Sequence, residues 1–327
     1  MICILLLVQL GLNGCTSDEE LWQKSLQAES AAAGSDLSRL IGQVKSQSIR
    51  NVKLLNAYAD IVQKKSPDLT GIVETLATDA TVNGPIVTGL KDRLESANKT
   101  ITQSVQGGEQ EVLQLQQEFS AIQVATDPVL FGMMLTDPIN VLADMSNGQL
   151  ARVEAMSKEA SLQTNQSSNY GAGSQLIGNP NYGQWRGDNQ GRSFWEWYGM
   201  YALFSNIFNR PVYYGGWAGN RGYSYYSDHG RNYYTSPSAK KRQQSQASKT
   251  KQKFQASGKS FKSPYAKTRA GASASAKRSS VKSASKFSSK RSSFKAPSKF
   301  ARKTSRFNQS SARSSYSRTS RSFSGGK

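Results

Sequence analysis

Residues 35–65 read SDLSRLIGQVKSQSIRNVKLLNAYADIVQKK, and this stretch decides the fold class. Its apolar residues recur at helical spacing: Leu37, Leu40, Ile41, Val44, Val52, Leu55, Ala59 and Val62. Ser35 and Asp36 can cap the start of a helix, and Ser66-Pro67 can end one. The pattern therefore predicts one helix of about 28 residues with a single buried face.

Helix start and stop signals continue on both sides of this stretch. Ser17-Asp18-Glu19-Glu20 is a capping box, which predicts a first helix from there to about Ala33, before Gly34. Pro67 and Pro85 can each stand at the first position of a further helix, and Asn83-Gly84 separates the two. Gly107-Gly108 then precedes a fifth helical segment.

The tripeptide Thr-Asp-Pro occurs twice, at residues 126–128 and 136–138. Each copy predicts an Asp cap followed by a proline in the first turn of a helix, so Asp127 and Asp137 are expected to act alike. The last helix is predicted from Pro138 to about Ser161, with a kink at Asn147-Gly148.

These signals predict an all-α fold for residues 15–164. Short connections favour a bundle of antiparallel helices, and an extended coiled coil is the alternative. The apolar stripes are interpreted as core, since nothing in them suggests a cofactor site.

Two regions of unusual composition follow. Residues 165–192 are rich in Asn, Gly, Ser and Gln and are interpreted as a linker. Residues 193–239 are rich in Tyr, Trp and Gly, and 193–208 are predicted as a short helix with apolar residues nearly all round, which must bury against the bundle, a protein partner or a membrane interface. Residues 209–239 fit either a hairpin or a loose loop. The predicted docking residues are Phe194, Trp195, Trp197, Tyr198, Tyr201, Phe204 and Phe208.

Charge is distributed very unevenly along the chain. Residues 240–327 hold 25 of the 42 Lys and Arg and no Asp or Glu, whereas the remaining residues carry 17 basic and 22 acidic side chains. Such a tail is predicted to be disordered on its own and to bind a polyanion through many weak contacts. The predicted polyanion-binding residues are Lys286, Lys290, Arg291, Lys295, Lys299, Arg302, Lys303 and Arg306.

The sequence offers no set of residues for a named reaction. His229 is the only histidine, so a metal cluster with several histidine ligands within one chain is excluded, and because His229 lies in the tyrosine-rich loop we predict no Ser-His-Asp triad. We predict no catalytic residues, no metal and no cofactor, and a protein that is not an enzyme.

The N-terminus carries the strongest signal for location. An apolar run from Ile2 to Leu12 ends in Asn13-Gly14-Cys15, which resembles the lipobox of bacterial lipoproteins. The resemblance implies a signal peptide at residues 1–14, acylation of Cys15 and attachment to the lipid bilayer. Because Thr16 rather than Asp follows the cysteine, it further implies the periplasmic face of the outer membrane.

A likeness to uncharacterised bacterial lipoproteins with an aromatic middle segment and a Ser/Arg-rich end adds no mechanism. The leading hypothesis is a lipid-anchored envelope protein, a tether or assembly factor whose tail binds an anionic lipid, lipopolysaccharide or cell-wall polymer, with a protein partner possible at the aromatic segment. The alternative is a cytoplasmic nucleic-acid-binding protein, in which the same tail would neutralise phosphates.

Overall fold

A computed structural model describes residues 17–208, 210–266 and 268–271. The described part is mostly helical and includes one two-stranded sheet. The predictions for the signal peptide, for Cys15 and for the eight basic residues between Lys286 and Arg306 lie outside the described residues. The elements are α1 Asp18–Lys45, α2 Arg50–Lys65, α3 Thr70–Ala77, α4 Pro85–Lys99, α5 Ile101–Gln106, α6 Glu109–Ala125, α7 Pro128–Met134, α8 Thr136–Met145, α9 Lys158–Asn165, β1 Gly183–Gly187, β2 Ser193–Trp197, α10 Tyr214–Asn220, α11 Arg231–Tyr234 and α12 Pro237–Ala256.

The predicted break at Gly34 is wrong, because α1 continues through it to Lys45. Two residues beyond the end of α1, Gln47 adopts the left-handed conformation with φ +52°. The amide of Gln47 donates to the Val44 carbonyl, and the amide of Ser48 donates to the Gln43 carbonyl, each at 3.0 Å. These are the two hydrogen bonds of a Schellman motif, in which glycine usually occupies the left-handed position. The predicted 28-residue helix is therefore divided between α1 and α2.

The all-α character of residues 17–145 is confirmed. Pro67 opens a single 3₁₀ turn before α3, and Pro85 opens α4. Helix α1 packs on α4, α5 and α6, while α2 packs on α3 and α8. One hydrophobic core lies between α1, α4, α5 and α6 around Phe119, and a larger one involves α2, α3, α7 and α8.

The two Thr-Asp-Pro copies behave differently. Asp127 caps α7, since its carboxylate accepts from the amides of Val129 and Leu130 at 2.8 and 3.1 Å. Asp137 lies inside α8 instead, and its prediction as a cap is wrong. Its side chain is drawn away from its own helix because buried donors of a distant segment reach it. The predicted helix from Pro138 to Ser161 also ends early, at Met145, where Asn147 and Gly148 both have positive φ.

Residues 165–192 do not form the predicted linker. Leu176, Ile177, Asn179 and Tyr182 are buried, and β1 occupies the end of this stretch. The small residues that suggested a linker permit close packing here. Gly178 has φ +86°, and a Cβ at this position would lie 2.4 Å from the Trp217 ring.

The predicted helix at residues 193–208 is also wrong. Ser193–Trp197 is β2, which pairs antiparallel with β1 and places Trp195 opposite Trp185. Partnering across the hairpin decides in favour of a strand, because it brings the two indole rings to 5.1 Å on one face. The chain then forms a 3₁₀ helix at Gly199–Asn206, which packs on α3.

Residues 212–239 form neither the predicted hairpin nor a loose loop. They contain α10, a single π-helical turn at Tyr226–Gly230 and α11. Five tyrosines of this stretch are almost completely buried: Tyr214, Tyr223, Tyr225, Tyr226 and Tyr234. These rings replace aliphatic side chains as the core between the bundle and the following helix.

The structure also differs from the predicted disorder of residues 240–271. Helix α12 docks on the aromatic region through a narrow buried stripe that comprises Ala239, Gln243 and Thr250. The Gln243 amide donates to the Tyr226 hydroxyl at 2.8 Å, and its carbonyl oxygen accepts from Arg231 at 2.6 Å. The basic segment lacks the apolar residues to fold alone, and it is ordered here because the folded body supplies its partners.

Candidate polyanion-binding groove

A groove of about 480 Å³ runs between the β1–β2 loop, the start of α10 and the C-terminal half of α12. It combines three cations, aromatic rings and small polar residues, and no carboxylate lines it within the described part of the chain. We call it the aromatic groove, and its lining includes Arg192, Ser193, Tyr213, Gly215, Gln246, Lys249, Thr250, Lys253 and Phe254.

Arg192 is held at one wall of the groove by two neighbours. Its guanidinium lies over the Tyr213 ring, with Cζ 4.5 Å from the ring centroid. Its Nε donates to Asp188 Oδ2 at 2.8 Å, and this hydrogen bond raises the pKa of Arg192 above its ordinary value. The other Asp188 oxygen accepts from the amides of Gln190 and Arg192. The loop therefore fixes the direction of a charged group that is otherwise exposed.

Helix α12 supplies the opposite wall. It carries six Lys and Arg and no Asp or Glu. Arg242, Lys249 and Lys253 are exposed and, at spacings of seven and four residues, form one stripe along the edge that meets the hairpin. Lys253 Nζ donates to the Gly191 carbonyl, which joins the end of this stripe to the β1–β2 loop.

The floor of the groove is aromatic and rigid. The Phe254 ring lies directly on the backbone of Gly215, where a Cβ would approach it to 3.1 Å. Beneath the floor, the Trp185 ring packs on the rings of Trp217 and Tyr214, with centroids 5.0 and 4.9 Å apart. A ligand would therefore meet a preformed surface.

The positive charge extends beyond the groove along the hairpin. Arg186 projects beside Glu196, with Nε 2.8 Å from Oε2. We define the basic face as Arg186, Arg192, Arg242, Lys249 and Lys253. Its five cations are opposed by the two carboxylates of Asp188 and Glu196, which leaves a net charge of about +3 on this set of residues.

The predicted docking residues are distributed over several environments. Trp195, Tyr201 and Phe204 lie in the interior and are closed to an external partner. Phe194, Trp197 and Phe208 are half-buried. Tyr198 stays exposed at the end of β2. Burial against the body of the protein therefore accounts for most of this aromatic set.

Sequence reasoning missed the groove residues Arg192, Lys249 and Lys253. The signal for the two lysines was present, because residues 240–256 hold no acidic residue and Pro237 follows Ser236 as a helix start. Arg192 gave no local signal, since its role depends on Tyr213 and on the hairpin loop.

A larger cavity, about 660 Å³, lies between α4, α5, α6 and the start of α12. It is lined largely by Ser, Thr and Gln, and Glu111 and Glu118 give it negative charge. Arg93 is buried there, but its Nε lies 2.7 Å from Glu118 Oε1 and its charge is matched. This cavity is therefore less suited to an anion than the aromatic groove.

Two buried carboxylates of the helical bundle accept hydrogen bonds from the aromatic region that carries the groove. Asp79 accepts from the Tyr182 hydroxyl at 3.0 Å and from the Tyr201 hydroxyl. Burial raises the pKa of Asp79 to about 7, against the lowering effect of those hydrogen bonds. Asp137 accepts from Ser224 Oγ and from two backbone amides of the tyrosine-rich stretch, and burial raises its pKa to about 6.

No group of three His, Cys, Asp or Glu suited to a metal ion occurs among the described residues. In the same part of the chain no single helix is long and apolar enough to cross a membrane, although α6 together with α7–α8 reaches that length and hydropathy as a pair bent by 80°. No protein-family model, curated protein or solved structure matches this chain.

Proposed function

We propose that this protein is a non-enzymatic envelope tether or assembly factor, anchored to a bilayer through acylated Cys15, that binds an anionic envelope component through its basic face and basic tail. The anchoring part rests on the lipobox-like sequence ending at Cys15. The component has the chemistry of an anionic lipid, a lipopolysaccharide or an anionic cell-wall polymer.

One observation carries the binding part of the proposal. Helix α12 places Lys249 and Lys253 with Arg192 around an aromatic floor and carries Arg242 on the same exposed edge. Cations arranged in a row on a rigid surface bind a linear or planar array of anions with little further loss of conformational entropy. The surrounding rings add stacking and van der Waals contact to whatever carries the charge.

The binding test is charge removal at the groove. Each basic residue near an anionic surface contributes about 1 kcal/mol, so Lys249→Gln with Lys253→Gln should weaken binding to phosphatidylglycerol vesicles, lipopolysaccharide or isolated wall fragments about 30-fold. Added salt should weaken the wild type more steeply than the variant. Lys24→Gln with Lys45→Gln is the matched control, since it removes the same charge from exposed positions on α1. Equal loss in the control, or none in the groove variant, would contradict the assignment.

The anchoring test is palmitate labelling with membrane fractionation of the wild type and of Cys15→Ala. We expect labelled wild type in the membrane fraction and an unlabelled variant outside it. An unlabelled, soluble wild type that binds single-stranded RNA in the same salt-sensitive manner would favour the cytoplasmic nucleic-acid-binding alternative instead.

A further inference from the structure

The 3₁₀ helix Gly199–Asn206 presents an apolar ridge to solvent. Met200 is 55% exposed, Leu203 is 39% exposed, and Tyr198, immediately before the helix, is 36% exposed. The other large apolar side chains that the described residues expose are separated along the chain: Leu21, Ile61, Leu113 and Val129. Single exposed apolar residues are ordinary on protein surfaces, whereas three in six positions indicate contact with something apolar.

The ridge is mounted on a fixed base. A 3₁₀ helix has three residues per turn, so Met200 and Leu203 share the outer row while Tyr201 and Phe204 share the inner row. The Tyr201 hydroxyl donates to the buried carboxylate of Asp79. Phe204 is fully buried and stacks on Trp197, with ring centroids 5.1 Å apart. The outer row is therefore presented without any rearrangement of the fold.

The ridge adjoins the basic face. Tyr198 follows β2 with an extended backbone, two residues after Glu196, so the two side chains project on the same side of the strand. The Glu196 carboxylate lies 2.8 Å from Arg186 Nε, which places the edge of the ridge beside this end of the basic face. Apolar side chains bordered by a tyrosine and by several cations match the boundary of an anionic bilayer, where acyl chains, interfacial rings and lipid phosphates occur at successive depths.

We infer that Tyr198, Met200 and Leu203 form a bilayer-contact ridge that inserts shallowly into an anionic phospholipid surface while the basic face binds the lipid phosphates. The inference rests on the proposed envelope function, which supplies the membrane. A soluble polyanion would satisfy the cations and leave the ridge in water, so the adjacent apolar row favours the bilayer. The acyl chains at Cys15 would keep the ridge near the membrane, where a weak contact is multiplied by its high local concentration.

The test uses the full chain with Cys15→Ser, so that no acyl chain contributes, and vesicles of phosphatidylglycerol with phosphatidylethanolamine. Met200→Ser with Leu203→Ser should lower the affinity about tenfold by removing two partly inserted side chains. The salt dependence should keep its slope because no charge changes. Leu113→Ser with Val129→Ser, at comparably exposed positions elsewhere, should bind like the wild type. In addition, the fluorescence of the tryptophan introduced by Met200→Trp should be quenched by lipids brominated near the top of the acyl chain.

Each outcome decides a separate question. Unchanged affinity of the double serine variant, or a Met200→Trp fluorescence that brominated lipids leave unquenched, overturns the ridge. A change of oligomeric state in the serine variant, measured by sedimentation, assigns the ridge to a second copy of the chain and also overturns it. If Lys249→Gln with Lys253→Gln weakens binding while the serine variant binds like the wild type, the proposed function stands without the ridge. If the wild type binds neither vesicles, lipopolysaccharide nor wall fragments, the proposed function itself fails.

Discussion

Asp79 should make the protein less stable as pH rises, and Asp79→Asn should remove that dependence. The direction is opposite to that of carboxylates held ionised in ion pairs. Asp79 is completely buried, and both of its oxygens accept hydrogen bonds from tyrosine hydroxyls. A hydroxyl can rotate to donate or to accept, so the tyrosines can also accommodate the amide of the variant, which has the same shape as a protonated carboxyl.

The magnitude follows from the two protonation equilibria of Asp79. Its pKa is about 7 in the folded protein, against a reference value of 3.8. Between these values the folded state keeps a proton that the unfolded state has lost. The free energy of unfolding therefore falls as pH rises, by about 1.4 kcal/mol per pH unit, and the slope fades near the folded pKa. From pH 5 to pH 7 the wild type should lose roughly 2 kcal/mol that Asp79→Asn retains.

The assay is urea unfolding followed by tryptophan fluorescence at pH 5, 7 and 8 and constant ionic strength. The quantity of interest is the difference in free energy of unfolding between variant and wild type, because subtraction removes the contributions of groups shared by both proteins. We expect this difference to move in favour of the variant between pH 5 and pH 7 and then to change little up to pH 8. A difference that stays constant over this range would refute the reasoning, since it would mean that Asp79 titrates alike in the folded and unfolded states.

Two further predictions concern the other buried polar contacts. Asp137→Asn should destabilise the protein by about 1–3 kcal/mol at pH 8 in the same urea assay. The backbone amides of Tyr225 and Tyr226 can only donate hydrogen bonds, so one of them would face the new NH₂ group. An unchanged free energy of unfolding would contradict this hydrogen-bond assignment. Arg221→Lys should loosen the segment that follows α12, because the 2%-exposed guanidinium binds both oxygens of Asp228 and the Pro264 carbonyl, a pattern that an ammonium group cannot reproduce. We expect faster trypsin cleavage after Lys262, measured by mass spectrometry. An unchanged cleavage rate would show that the Arg221 hydrogen bonds are not needed to hold this segment.

The features that sequence predicted correctly are those decided within a few residues. Pro67, Pro85 and the Asp127-Pro128 pair start helical turns where expected, because a fixed φ and a side-chain cap act locally. The end of α1 escaped prediction because a glutamine occupies the left-handed position that normally signals itself as glycine. The role of Asp137 was not predictable, because the tripeptide is identical to the first copy while the hydrogen-bond donors of Asp137 lie 87 to 89 residues away along the chain.

The aromatic region shows the same limit on a larger scale. The large rings of Phe194, Trp195 and Trp197 fit either a strand or an apolar helix, and only pairing with Gly183–Gly187, in a stretch resembling a linker, decides between them. The candidate site was therefore predictable in its chemistry but not in its location. Basic charge with aromatic rings was visible in the sequence, whereas the meeting of Arg192, Tyr213 and Lys253 depended on that unpredicted hairpin.

The docking of α12 gives the basic segment two distinct roles. Residues 272–327 hold 15 further Lys and Arg, and the sequence predicts that their cations must first be ordered by a ligand, at a cost in conformational entropy. Arg242, Lys249 and Lys253 are instead already aligned by a helix whose contacts include the Gln243–Tyr226 hydrogen bond. The helical stripe should therefore set the orientation of the bound surface, and the remaining charge should add affinity that salt removes. Substituting Gln243 would separate these two roles. Every positive charge would remain, but the alignment of Arg242, Lys249 and Lys253 that the docked helix provides would be lost.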